Sequence, residues 1–182
     1  MRYHCSLFLF LFLAHFSATA QDTKAEYEKI WAFQANAGWQ QSILLEAGIS
    51  RQWHKSEPNK SSGGFIPPIS FPYAVFGANA HLGGYYDFSS QHFLLGAHLG
   101  GEYYQMPKKG GLVGFTARLT GSVYSQVSNP DGVDIRITPQ IGVTVLSIFS
   151  VYYGYSQPIL SDPISAIGRH RITISCSIPF ND

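Results

Sequence analysis

Charge is scarce in this chain of 182 residues. Asp, Glu, Lys and Arg make up 13% of it, and 12 basic residues nearly balance 11 acidic ones. Such a balance gives no field to steer a polyanion, so nucleic acid is excluded as an expected partner. Cysteine is scarcer still, with Cys5 and Cys176. Cys5 falls in the leader described below, which leaves one thiol and no internal disulfide. Cys176 sits on an apolar strand face and suits a small hydrophobe better than a reactive thiol. Long apolar runs are missing too. After the leader, the most apolar stretch, Ile141 to Tyr155, is broken by Thr144, Ser147, Ser150 and Gly154. A membrane-crossing helix needs ~20 consecutive apolar residues.

Aromatic residues (15%) and 18 glycines stand where charge is lacking. That mixture is unusual on a water-washed surface and ordinary on one that faces lipid. The N-terminus adds a direction. Arg2, then Leu7 to Ala14 (LFLFLFLA), then Ala18-Thr19-Ala20 follow the order of a secretory signal peptide cleaved before Gln21. We read residues 1–20 as that leader, 21–30 as a charged lead-in and 31–180 as one β-barrel domain. An exported chain without an apolar helix can still enter a membrane as a closed barrel, because closure satisfies every backbone polar group.

Alternation of period two runs through the domain and marks strands, since successive side chains leave a strand on opposite faces. His170 to Phe180 is the clearest case. Ile172, Ile174, Cys176, Ile178 and Phe180 share one face, and Arg171, Thr173, Ser175 and Ser177 the other. Seven earlier segments repeat the pattern: Trp31 to Gly38, Ser42 to His54, Tyr73 to Asp87, His92 to Tyr104, Leu112 to Tyr124, Val133 to Leu146 and Phe149 to Gln157. Their lengths suit the ~9–11 residues with which a tilted strand crosses a bilayer. The pattern predicts an all-β fold, an eight-stranded antiparallel up-and-down transmembrane β-barrel.

Alternation does not by itself say which face points inward. A soluble secreted barrel holding an apolar ligand would be apolar inside. Here the polar face mixes glycines such as Gly48, Gly77, Gly83 and Gly154 with long ionic side chains. That composition fits a narrow, crowded lumen. The other face carries Leu, Ile, Val and Phe, with Trp31, Trp39, Trp53, Tyr86 and Tyr103 toward strand ends, as interfacial girdles require. The expectation is an apolar exterior and a polar lumen. Pro139 cannot donate to a ladder and predicts a bulge or a shifted boundary. With both chain ends periplasmic, Gln157 to Gly168 is an external loop. Lys55 to Pro72, the longest connection, falls on the side where turns are usually short.

Taken together, the processed chain resembles small eight-stranded outer-membrane barrels with an OmpA- or OmpX-like transmembrane domain. Pro139-Gln140-Ile141-Gly142, Tyr153-Gly154-Tyr155 and Arg169-His170-Arg171-Ile172 are also similar to uncharacterised small barrels of Bacteroidota. The resemblance implies residence in the bacterial outer membrane, contact with its lipid, and insertion by the outer-membrane assembly machinery. That machinery reads a terminal aromatic strand. Here Asn181 and Asp182 follow Phe180, and Pro179 precedes it, a departure from the strict signal.

The residues that could carry chemistry all lie on the polar face: Glu46, His81, His98, Glu102, Arg118, Asp134, Arg136 and Arg171. A two-residue hairpin at Ser89-Ser90 places His81 opposite His98. Two histidines fall short of a metal set, so hydrogen bonding is expected and no metal or other cofactor. Counting across Pro107 to Gly111 brings Glu102 to Arg118. Paired charges in a narrow barrel predict a plugged lumen, since an unpaired buried charge is very costly. Tyr73, Tyr85, Tyr104, Tyr124 and Tyr152 are expected to pack and hydrogen-bond. Spacing defines no nucleophile with its base, and His170 with Ser161 or Ser165 is not supported by it. The expectation is a non-enzymatic barrel with a structural role, or a surface role through its loops. The alternatives are a lipid A deacylase-like enzyme and a soluble ligand-binding barrel.

Overall fold

The computed structural model describes residues 27–55, 74–88, 91–107, 112–127, 129–159, 164 and 167–180. Residues 1–20, read above as a leader, the start of the expected lead-in, most of the long connection after β2, Tyr73, Ser161 and Ser165 lie outside the described residues. Those described form strands joined by turns: β1 (Tyr27–Gln40), β2 (Ser42–Lys55), β3 (Ala74–Asp87), β4 (His92–Gln105), β5 (Val113–Gln126), β6 (Asn129–Val145), β7 (Phe149–Tyr155), β8 (Gln157–Pro158) and β9 (His170–Phe180). Among the described residues no helix is long and apolar enough to cross a membrane.

β7 and β8 are two pieces of one stave. Both pair with β6 in a single register, interrupted at Ser156. Each stave is antiparallel to its neighbours. β1 pairs with β9 across the two ends of the sequence, and β5 pairs with β6. The result is a closed, eight-stranded, antiparallel up-and-down barrel.

Its dimensions follow from register. From Val143, paired residues lead around the sheet through Val151, Ile174, Ala37, Leu45, Gly84, Leu95 and Ser125. The path returns to β6 at Val133, ten residues from its start. With ~3.3 Å per residue and ~4.8 Å between strands, that stagger tilts the strands by about 40° and sets a backbone radius of about 8 Å. Such an interior is filled by side chains.

Alternation decides which side chains fill it. On β2, Ser42, Leu44, Glu46, Ser50 and Gln52 are buried, while Ile43, Leu45 and Ile49 are exposed. The same parity holds on β9, where Arg171, Thr173, Ser175 and Ser177 are buried and Ile172, Ile174 and Ile178 exposed.

Several boundaries differ from those read in the sequence. β1 starts at Tyr27, inside the supposed lead-in, because its backbone stays paired with β2 as far as Lys55. The β3–β4 connection has four residues rather than two, since the ladder ends at Asp87 and His92. Gln91 there takes a left-handed φ of 56°. β6 runs straight through Pro139, which pairs with Leu119, and the register shift lies instead between Ser125 and Gln126. The proline is tolerated because the stave on its other side is broken beside it. The β6 ladder steps from Gln140↔Gly154 to Ile137↔Gln157. Ser156 N turns away and donates to Arg169 O at 2.6 Å. A residue without an N–H therefore loses little at this point.

Candidate functional site

The polar residues singled out from sequence fall into two groups inside the barrel. The first occupies the waist. Glu46 on β2 gathers donors from three other strands. Asn36 Nδ2 donates to Oε2 at 3.0 Å, and the Tyr85 hydroxyl and Arg171 Nη2 donate to Oε1 at 2.7 and 2.6 Å. Glu102 on β4 is held likewise. Gln34 Nε2 donates to Oε1 at 2.5 Å, and Arg118 Nε and Nη2 donate to Oε2 at 3.2 and 2.8 Å. Arg118 also donates to Ser175 Oγ at 3.1 Å and lies over the Tyr152 ring, 4.3 Å from its centroid. Charge-assisted bonds of this kind are the strong ones, and they join staves on opposite sides of the barrel.

Glycine makes room for both carboxylates. Gly83 is the β3 partner of Glu46, and Gly77 the β3 partner of Glu102. A Cβ on Gly83 would sit 2.6 Å from Glu46 Cγ, and one on Gly77 would sit 2.9 Å from Glu102 Oε1. The missing side chain on the neighbouring strand lets each glutamate fold across it toward the axis.

His81 and His98 stand directly opposite each other, but their bonds go elsewhere. His81 Nε2 meets Gln34 Oε1 at 2.7 Å. His98 Nδ1 meets Ser122 Oγ at 2.8 Å, and its Nε2 lies 3.3 Å from Glu46 Oε1. Among the described residues no three His, Cys, Asp or Glu side chains gather as a metal-binding set.

Ser122, His98 and Glu46 thus form a serine–histidine–carboxylate series that spacing had not suggested. Its surroundings are those of packing. Ser122 is 1% exposed and His98 2%, so no acyl carbonyl reaches the hydroxyl while the barrel is closed. Glu46 is also shared with Arg171 and Tyr85, which leaves it a poor dedicated partner for the imidazole.

The second group lies at one mouth. Asp134 and Arg136 pair at 2.8 Å on β6, apart from the waist. Arg136 Nη1 donates to Gly168 O at 3.0 Å and Nη2 to Ile164 O at 3.3 Å, while Ile164 N donates to Asp134 Oδ2 at 3.0 Å. Gln40 Nε2 donates to Gly168 O at 2.7 Å. Ile164 and Gly168 are thereby drawn inward, and Ile167 packs with Leu44, Tyr85, Leu94 and Tyr124. At the other end Val75, Tyr104, Met106 and Tyr152 are buried.

All eight singled-out residues belong to one of these bonded clusters; His81 joins the waist through Gln34, which also holds Glu102. Sequence reasoning set Gln34, Asn36, Ser122 and Ser175 on the polar face without giving them a role, and passed over Ile167. Ser122 had a signal: the count that matches Glu102 with Arg118 also matches His98 with Ser122. Ser50 Oγ and both polar atoms of Asn79, which face each other in register, have no hydrogen-bond partner and are the least satisfied part of the interior.

Comparison with protein-family models finds none that matches this chain. Comparison with curated proteins finds no match either.

Proposed function

We propose that this chain is a non-enzymatic barrel of the bacterial outer membrane, with an apolar outer face in lipid and a lumen plugged by its own side chains. The observation that carries the reading is the inversion of polarity. Glu102 is 0% and Arg118 2% exposed, whereas Leu82 is 72% and Leu99 71% exposed. In water that arrangement would expose leucine and bury charge, both unfavourable; in a bilayer the outer term changes sign. Height agrees. Outward residues from Val113 to Val123 on β5, both exposed, cover about 25 Å along the axis at the tilt given above, the apolar band of membrane barrels.

The plug follows from a radius of about 8 Å and from carboxylates already saturated by donors. Its role on this reading is structural, or lies in surface interaction through the connecting loops. Its partners are outer-membrane lipid and, during insertion, the assembly machinery. The burial of Ser122 supports this reading over a lipid-modifying enzyme, and a charged interior supports it over a barrel that holds an apolar ligand.

Detergent-refolded protein is expected to migrate differently on gels before and after boiling, and to give no stable conductance in planar bilayers. Recovery as a soluble periplasmic protein would overturn the membrane reading. Large steady channels would overturn the plug. Altered lipid A mass on expression would overturn the non-enzymatic assignment.

A further inference from the structure

We propose that the outer face of β1 and β2, at the barrel end holding the N-terminal edge of β1, binds the phosphate of an anionic phospholipid headgroup. The proposal rests on the membrane-spanning reading. On these two strands the outward positions change character toward that end. Phe33 and Ile49 are exposed and apolar; beyond them come Trp31 and Lys29 on β1, and Arg51 and Trp53 on β2.

Register turns these four into a two-by-two block, with Trp31 opposite Arg51 and Lys29 opposite Trp53. The Arg51 guanidinium lies over both indoles, 5.6 Å from the Trp31 ring centroid and 5.9 Å from that of Trp53. A guanidinium stacked on aromatic faces is held in place and keeps its N–H edges for an anion. On its β3 side Arg51 meets Ala78, whose short side chain leaves that edge open. Lys29 and Arg51 are both exposed. Of the carboxylates described on these strands, Glu46 is buried at the waist, and Glu28, though exposed, belongs by alternation to the opposite face. At the other end of the same strands the outward residues are Trp39 and Ile43, with no cation.

Shape selects the ligand class. A phosphate at Arg51 and Lys29 places what hangs from it along Ile49 and Phe33, about 7 Å further on. An amphiphile with a phosphate head and acyl tails fits both halves. A soluble phosphate would use only one.

The test uses the full barrel refolded into phosphatidylcholine vesicles containing phosphatidylglycerol, with bromine on the tails of one lipid or the other. A Trp39→Phe background leaves Trp31 and Trp53 as reporters. Brominated phosphatidylglycerol is expected to quench them as though enriched about five-fold over its bulk fraction, the effect of one well-placed cation. Arg51→Gln, which keeps both indoles, is expected to remove most of that preference. Equal quenching by both lipids in an inserted barrel would overturn the proposal alone, as would an unchanged preference in Arg51→Gln. A chain that stays protease-sensitive and shows no heat-modifiable form in vesicles would overturn the membrane reading and the proposal with it. The wild-type comparison decides even where the variant fails to fold.

Discussion

The waist and the mouth of the interior are both built on buried ion pairs, and they use them differently. At the waist, Glu102 pairs with Arg118 on the neighbouring strand and Glu46 with Arg171 two staves away, side chain to side chain. Their bonds reach β1, β2, β3, β4, β5 and β9. At the mouth, Arg136 and Asp134 stand two positions apart on one strand and spend their remaining valence on the backbone of one segment. A network of the first kind couples six of the eight staves. A clasp of the second kind holds a flap. Stability is therefore expected to concentrate at the waist, while the mouth opens locally at lower cost.

The strongest way to break that distinction is Glu102→Leu. It strands Arg118 in the interior and is expected to cost about 3–5 kcal/mol, read as a shift of the urea unfolding midpoint in detergent or vesicles. Glu102→Leu combined with Arg118→Met removes both charges and is expected to regain most of the loss. If the double variant stays as unstable as the single one, packing rather than charge holds the waist.

Gly83→Ala sharpens the same point without touching a charge. Its Cβ would meet Glu46 Cγ at 2.6 Å and Leu45 O at 2.9 Å. Overpacking of this kind costs about 1–3 kcal/mol by the same unfolding measurement.

The smallest global effect is expected at the mouth, from Asp134→Asn together with Arg136→Gln. The Gly168 amide, bonded to Gln40 O at 3.2 Å, should exchange its hydrogen about ten-fold faster, one charge-assisted bond's worth. The unfolding midpoint should barely move. A midpoint shift as large as that of Glu102→Leu would erase the distinction between network and flap.

How much of this could be read from the chain depends on the distance over which each contact acts. Strand existence and the division of each strand's residues between two faces were legible, because period-two alternation is local. Pairs between neighbouring strands were legible wherever a short turn anchors the count, as for His81 with His98 and Glu102 with Arg118. Contacts across the axis were not. Arg171 with Glu46, Gln34 with Glu102 and Arg118 with Ser175 depend on the ten-residue stagger. That stagger emerges only when the last strand meets the first. The break at Ser156 was hidden for a related reason: Pro139 was judged within its own strand, while the strand beside it yielded. The inward fold of Ile167 has no periodic signature at all.

The seam between β1 and β9, from Trp31↔Phe180 to Trp39↔Ile172, has a kinetic meaning. The other seams join staves that follow one another in sequence, and each can zip outward from a turn. This one must bring together opposite ends of the chain, so its loop-closure entropy is paid last and at once. Until then two strand edges carry unpaired N–H and C=O groups, which hydrocarbon tolerates poorly. On the membrane-spanning reading, entry into lipid and closure of the ring become one cooperative event. A nascent sheet that dwells before that event is exposed to pairing with another copy, edge to edge.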